Sequence, residues 1–358
     1  MNGMVEPGVS LAGCTTLRLG GPAARFVRGE RSRDIVEVVR AADADGEPLL
    51  VLGAGSNVVV GDAGFDGTVL RVANTGQGCD RLGDGQVQLT VEAGADWDQT
   101  VAWTVAEGLG GLECLSGIPG LVGATPVQNV GAYGVEIADA LVSVDLLDRR
   151  SGQVRTIQAE GLGLAYRTSV LKGTDSAVVL RARFGLRDGG ESAPIRYAEL
   201  ARLLGVSVGG RVPAADARAA VLDLRRGKGM VLDAADHDTW SAGSFFTNPV
   251  IDDAELPGVR SRAARVLGPD ETMPSWPAGI GCTKLSAAWL IERAGFPRGH
   301  VGAGGRVALS TRHTLALTNR GGASTEDLLA LAREVCAGVR GGFGVELRPE
   351  PVFVNCAL

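Results

Sequence analysis

Ser116-Gly117-Ile118-Pro119-Gly120-Leu121-Val122-Gly123-Ala124-Thr125-Pro126-Val127-Gln128-Asn129-Val130-Gly131-Ala132-Tyr133-Gly134 sets five glycines and two prolines among apolar residues. That composition excludes a long regular helix or strand, because glycine raises the entropic cost of ordering and proline removes a backbone donor. The stretch is expected to be an ordered loop whose N–H groups lack secondary-structure partners. Its missing Cβ atoms let another molecule approach that backbone closely. An acceptor-rich guest suits such a surface, either a diphosphate or the edge of a flavin ring. The alternative is a plain turn in a chain with 53 glycines in 358 residues.

A second candidate cradle lies upstream. Leu49-Leu50-Val51-Leu52 reads as a short buried strand running into Gly53-Ala54-Gly55-Ser56-Asn57 and a further apolar run, Val58-Val59-Val60. Strand, glycine turn and hydroxyl suggest phosphate, although a simple hairpin turn would use the same residues. The dinucleotide fingerprint is absent, since Val58 stands where its third glycine belongs. The same valine excludes a nucleophile elbow. Gly227-Lys228 is no P-loop, with Leu222 at the first glycine and Gly229 in place of Ser or Thr. Any phosphate site here is of another design.

With 45% hydrophobic and 21% charged residues, the chain is globular and long enough for two or three domains. A net charge of -6 gives no basic footprint for nucleic acid. The opening residues lack a basic start followed by an apolar run, and no stretch is long and apolar enough to span a bilayer, so a cytoplasmic protein without membrane insertion is expected. Cys14, Cys79, Cys114, Cys282, Cys336 and Cys356 are scattered, which indicates small core residues rather than a metal site or disulfides.

The patterns predict a strand and turn over Thr15 to Val27, a helix capped by Ser32 with Ile35, Val36, Val39 and Ala42 on its buried face, a strand over Val87 to Val91, and a helix from Asp96 to Glu107. Strands follow at Val142 to Leu147, near Val154 and at Val178 to Phe184, then helices at Ala198 to Leu204 and Ala214 to Arg226. After a polar crossing, Gly227 to Thr239, the remainder reads as a separate α+β domain: strand Ser244 to Val250, helices near Asp252 to Leu267 and Leu285 to Ala294, strand Ala308 to Asn319, helix Thr325 to Val339 and strand Pro351 to Val354. The Asp236-His237-Asp238 run is expected to be solvated surface.

Three clusters could carry chemistry. All three tyrosines, Tyr133, Tyr166 and Tyr197, fall in unusual segments. Gly243-Ser244-Phe245-Phe246-Thr247-Asn248-Pro249 would hold Ser244 at the mouth of a strand with Asn248 on the same face. Arg348-Pro349-Glu350-Pro351 fixes one carboxylate between two prolines. Each could be a packed or capping feature when taken alone.

Together and in this order, these pieces resemble the UDP-N-acetylenolpyruvoylglucosamine reductases, from about Thr16 to Phe353. The resemblance implies an α+β fold: a vanillyl-alcohol-oxidase-type (PCMH-like) two-part FAD domain at 1–74 with 351–358 and at 75–228, plus a C-terminal α+β substrate domain at 229–350. FAD would be held by Gly53, Ala54, Gly55, Ser56, Asn57 and Val58, and by Gly117, Ile118, Pro119, Gly120, Gly123, Ala124, Thr125, Gln128, Asn129, Gly131, Ala132 and Tyr133. The activity implied is reduction of an enolpyruvyl UDP-sugar by NADPH, with Arg167, Ser244 and Glu350 catalytic. Substrate would meet Tyr133, Tyr166, Arg167, Tyr197, Lys228, Asn248, Lys284 and His313, and no metal is implied. Tyr197 in an inserted segment is similar to the branch that closes a tyrosine-bearing loop over substrate. Gly229-Met230-Val231 departs from the hydrophobe and proline that follow the lysine in many relatives, so the role of Lys228 is the least secured. A monomer is expected. The competing readings are another FAD oxidase or dehydrogenase of the same superfold and a catalytically silent nucleotide-binding module, which a colourless protein would favour.

Overall fold

The computed structural model describes residues 5–358. Residues 1–4, part of the opening on which the expected lack of a leader rests, lie outside the described residues. The chain forms two compact units, one of 5–9, Ala23–Gly55 and Phe65–Val231, the other of Ser10–Pro22, Ser56–Gly64 and Leu232–Leu358. The expected three-way division is a division by what each part binds, which compactness does not decide.

In the first unit, strands Ala23–Gly29 and Leu49–Leu52 both run parallel to Phe65–Val72, with Val5–Glu6 antiparallel on the outer edge. Parallel strands need a crossover, and helix α1, Ser32–Asp45, occupies the segment between the two strands that flank Phe65–Val72. Its buried residues Ile35, Val36, Val39 and Ala42 recur at helical spacing, and Gly46 closes it in the left-handed conformation with its amide on Ala42 O. The expected cap Ser32 is instead the first helical residue: Arg31 takes the N-cap, and the Ser32 hydroxyl donates to Glu92 at 2.6 Å.

The second sheet of this unit is antiparallel, in the order Gln153–Gln158, Leu141–Asp148, Ala177–Asp188, Gln86–Glu92, Gln77–Gly83, with Leu109–Gly110 also paired to Ala177–Asp188. Its inner residues pack with helix α2, Trp97–Ala106, whose Trp97 ring sits 5.7 Å from that of Phe184. Asp96 caps α2 as predicted, accepting from Gln99 N at 2.9 Å. Two more helices, α3 (Ala198–Leu203) and α4 (Ala214–Gly227), complete the unit.

The second unit pairs Val58–Val60 in parallel with Val352–Val354. It adds a three-stranded sheet of Val250–Asp252, Cys282–Leu285 and Ser275–Pro277, a hairpin of Val307–Leu309 with Leu317–Asn319, and helices α5 (Leu256–Leu267), α6 (Ala287–Arg293) and α7 (Thr325–Phe343). A reciprocal Ser324/Asp327 capping box starts α7, and Asp62 accepts from the Thr325 and Glu326 amides at its first turn.

Several expected strands are corrected. Thr15 to Val27 is strand only from Ala23, the part from Thr15 to Pro22 being turn and irregular chain that follows a 3-10 turn at Leu11–Cys14. Ser244 to Pro249 forms no regular strand, only an isolated bridge of Phe246 with Pro349, and the strand begins at Val250. The run Ala308 to Asn319 folds back on itself, because Ser310 and Thr311 are drawn to a buried carboxylate described below. All six cysteines are free thiols, and Cys79 is exposed rather than core. Cys114 is buried, which pushes its thiol up to about 12.

Candidate active site

In the first unit the two predicted cradles come together. A Cβ built at Gly53 would stand 3.9 Å from both Ala124 Cβ and Leu121 Cδ1, so the turn after strand Leu49–Leu52 lies against the long loop. The amides of Gly53, Ala54, Ile118, Gly120 and Leu121 donate to no protein acceptor among the described residues. Buried or half-buried donors of this kind need an acceptor from elsewhere. A Cβ at Gly53 would meet only ordinary contacts, whereas Gly123 is pressed on the sheet: a Cβ there would be 2.5 Å from Ala93 Cβ.

The loop is held from behind. Gly117, at φ 70, donates its amide to Asp98 Oδ1 at 2.6 Å, and Arg218 grips the same carboxylate at 2.6 and 2.9 Å. Burial pushes Asp98 up, but the Arg218 and Gly117 bonds outweigh it and leave its pKa lowered. Asn129 is 1% exposed and its side chain is spent on the fold: it donates to Glu136 and Ala165 O, and accepts from Ala138 N. The Thr125 hydroxyl likewise turns inward to Val122 O. Gln128 and Ala132 lie on the same stretch, half-buried.

Sequence reasoning missed Arg225. It is 7% exposed on α4, donates to Met230 O at 2.8 Å, and leaves its Nε without a partner beside Gly117. Burial lowers the pKa of its guanidinium. The signal was present: Ala214, Ala217 and Val221 mark the buried stripe of α4, and Arg225 is its next position. An orphaned buried donor next to unpartnered amides fits a guest rich in acceptors, and FAD is such a guest.

Arg167 sits at the tip of a two-residue turn closed by reciprocal Ala165 and Thr168 backbone bonds of 3.1 Å. Its φ of 55 is unusual for a residue with a side chain. One guanidinium nitrogen donates to Gly131 O at 2.8 Å, so the fork is aimed at the end of the glycine loop. Lys172 braces the turn by donating to Arg167 O at 3.0 Å. Exposed Tyr166 lies under the Arg167 guanidinium at 5.2 Å. Tyr133 and Tyr197 meet edge to face at 5.5 Å, with Lys228 Nζ 5.9 Å from the Tyr133 ring and 3.4 Å from Glu199.

The second unit gathers three distant segments around Ser244. Phe245 N donates to Leu315 O at 2.7 Å, and Phe245 O accepts from Glu350 N at 2.9 Å. Phe245 and Phe246 are fully buried and anchor the stretch. Ser244 Oγ is 3.1 Å from His313 Nε2. Asn248 was expected to share a strand face with Ser244; its Oδ1 instead accepts from Ala287 N at the start of α6. Lys284 lies on the central strand of the three-stranded sheet, half-buried, opposite Val250 and Trp276. Asn57, which ends the first glycine turn, accepts from Val352 N at 3.0 Å, with half-buried Ser56 and Val58 on either side.

Behind His313 lies Asp238, which the sequence reading left at the surface. It is 5% exposed and accepts from Ser310 Oγ, from Thr311 N and Oγ1, from Arg312 Nε and from Arg320 Nη1, all at 2.9 to 3.1 Å. Burial pushes its carboxyl up, yet these donors together hold it below the ordinary carboxylate range. No cluster of His, Cys, Asp and Glu among the described residues could hold a metal ion, and no described helix is long and apolar enough to cross a membrane.

Residues 23–158 match the model of the FAD binding domain family, and residues 235–354 match that of the UDP-N-acetylenolpyruvoylglucosamine reductase C-terminal domain. A protein of Saccharopolyspora erythraea named UDP-N-acetylenolpyruvoylglucosamine reductase is 68% identical over 351 residues, covering 98% of this chain and 96% of that protein. One of Thermobifida fusca with the same name is 56% identical over 350 residues, covering 98% of each. Among solved structures, the reductase of that name from Thermus caldophilus superposes with a TM-score of 0.66 at 26% identity, covering 98% of this chain and 99% of that one.

Proposed function

The chain belongs to the UDP-N-acetylenolpyruvoylglucosamine reductase family, and we propose that its two glycine loops hold FAD while Arg167, Ser244 and Glu350 act on the substrate. It is an FAD-dependent oxidoreductase that uses NADPH to reduce UDP-N-acetylglucosamine enolpyruvate to UDP-N-acetylmuramate in peptidoglycan precursor synthesis. What carries the assignment for this chain is the meeting of Gly53 with Leu121 and Ala124, where both loops bear amides without protein acceptors among the described residues.

FAD held by the two glycine loops would supply the hydride chemistry that links NADPH to the enolpyruvyl double bond. The chain's own residues answer the charge that follows. Hydride addition to an alkene conjugated with a carboxylate piles negative charge onto that carboxylate. Arg167 supplies a planar, permanently charged fork for it, and preorganised donors of this kind are worth several kcal/mol, roughly 3 for a single one. In its acid form Glu350 would donate a further hydrogen bond to the developing oxyanion. Ser244 Oγ–H gives the proton that the other alkene carbon needs.

Binding roles follow the same division. Gly53 to Val58 and the loop residues from Gly117 to Tyr133 named for FAD above take the cofactor, the amides of Gly53, Ala54, Ile118 and Gly120 donating to it, with Asn129 and Thr125 shaping the loop through the inward bonds described above. Arg225 Nε adds a donor to that set. Tyr133, Tyr166, Tyr197, Lys228, Asn248, Lys284 and His313 line the substrate, and the Tyr133–Tyr197 contact supports a tyrosine-bearing segment that closes on it. The functional parts are 1–74 with 351–358, 75–228 and 229–350. The protein works as a cytoplasmic monomer.

An absorbance spectrum tests the cofactor, and NADPH oxidation with and without the enolpyruvyl UDP-sugar tests the reaction. A flavin spectrum and substrate-dependent oxidation are expected; a colourless protein, or oxidation indifferent to the sugar, would contradict the reading.

A further inference from the structure

A serine that gives up its proton is left as an alkoxide, and turnover stops until that proton is replaced. The 3.1 Å contact between Ser244 Oγ and His313 Nε2 answers this need. We propose that His313 returns the proton to Ser244, a relay that rests on the reading of Ser244 as proton donor to the substrate.

The contact is built, not incidental. His313 N donates to Ser310 Oγ and His313 O accepts from Ala316 N, so the imidazole is carried on a closed turn. That turn is fastened to Asp238 through Ser310 and Thr311. Phe245 N, one residue from Ser244, is tied to Leu315 O. Both partners of the contact are therefore held by backbone bonds from the same two segments. The charged groups around it are largely matched: Arg312 pairs with Asp236 and Asp238, and Glu292 accepts from Thr314. Glu350 joins through Phe245 O.

The protons balance. The Oγ–H bond breaks as the C–H bond forms on the substrate, leaving the alkoxide. The Nε2–H bond of the imidazolium then breaks as Oγ–H re-forms, leaving neutral imidazole protonated at Nδ1, and solvent returns a proton to Nε2. Nothing is oxidised or reduced in these steps. Imidazole suits the task because it titrates near neutrality.

The test follows steady-state turnover of the FAD-loaded enzyme with saturating NADPH and enolpyruvyl UDP-sugar across a pH series, because the proton is returned after each reoxidation and limits the next cycle. His313→Gln and His313→Ala should each slow that turnover at least about tenfold and lose the limb along which the parental rate falls as pH rises. Added imidazole should restore the alanine variant but not the glutamine one. With only three histidines in the chain, 15N-histidine NMR offers a readout apart from turnover: Ser244→Ala should shift the His313 Nε2 signal and leave those of His237 and His300 in place. Parental rates in both His313 variants, a slowed alanine variant that imidazole does not rescue, or an unmoved Nε2 signal would each overturn the relay. A parental rate in Ser244→Ala would overturn the serine assignment itself.

Discussion

The glycine loops of the first unit and the Ser244 site of the second are built on opposite principles. In the proposed cofactor site the donors at Gly53, Ala54, Ile118, Gly120 and Leu121 are main-chain amides that no protein acceptor takes among the described residues. At Ser244 the functional atoms belong to side chains, aimed by backbone bonds to segments about 70 and 100 residues away in sequence. A backbone site tolerates change in whatever does not crowd it. A side-chain site depends on remote residues such as Asp238 that touch no substrate. The two should therefore break differently.

The largest effect falls on the remote support. Replacing Asp238 by alanine leaves Arg312 and Arg320 without their buried partner, and chemical denaturation should read a loss of about 3 to 5 kcal/mol. The folded-state pKa of Asp238 is depressed, so its contribution is present above the unfolded carboxylate pKa of about 3.9 and is lost as pH falls through the lower folded value. The stability gap between the parent and Asp238→Asn should accordingly narrow on acidification; a gap constant down to low pH would contradict the network. Next comes Ser244→Ala, expected to slow reoxidation by the enolpyruvyl sugar about a hundredfold in stopped flow, with a smaller effect on reduction by NADPH. Equal losses in both half-reactions would remove Ser244 from proton transfer.

On the backbone side, two substitutions of the same kind should part company. Gly123→Ala drives a methyl into Ala93 and should cost about 2 kcal/mol of stability. Gly53→Ala meets only ordinary contacts and should change stability by less than about 0.5 kcal/mol, while weakening FAD retention measured by equilibrium dialysis. Unchanged retention in Gly53→Ala would show that no ligand approaches that backbone.

The same contrast explains what the sequence could disclose. Glycine and proline act locally, so the 116–134 loop was legible from composition, while α1 and α2 were legible from caps and apolar spacing and α4 from its helix-forming residues. Local capping was half legible: Asp96 caps α2, but Ser32 is diverted to Glu92, a partner 60 residues away. The Ser244 segment was misjudged as a strand because its bonds run to Leu315 and Arg348, which no local period records. Asp238 escaped for a related reason. A DHD run looks solvated until Arg312 and Arg320 are known to converge on it.

One measurement bears on the whole account most directly: anaerobic stopped-flow absorbance of the purified protein, reduced by NADPH and then mixed with UDP-N-acetylglucosamine enolpyruvate. The flavin band should bleach with NADPH, return with the sugar, and stay bleached far longer in Ser244→Ala. A protein with no flavin band, or a band that returns at the parental rate without that serine, would contradict it.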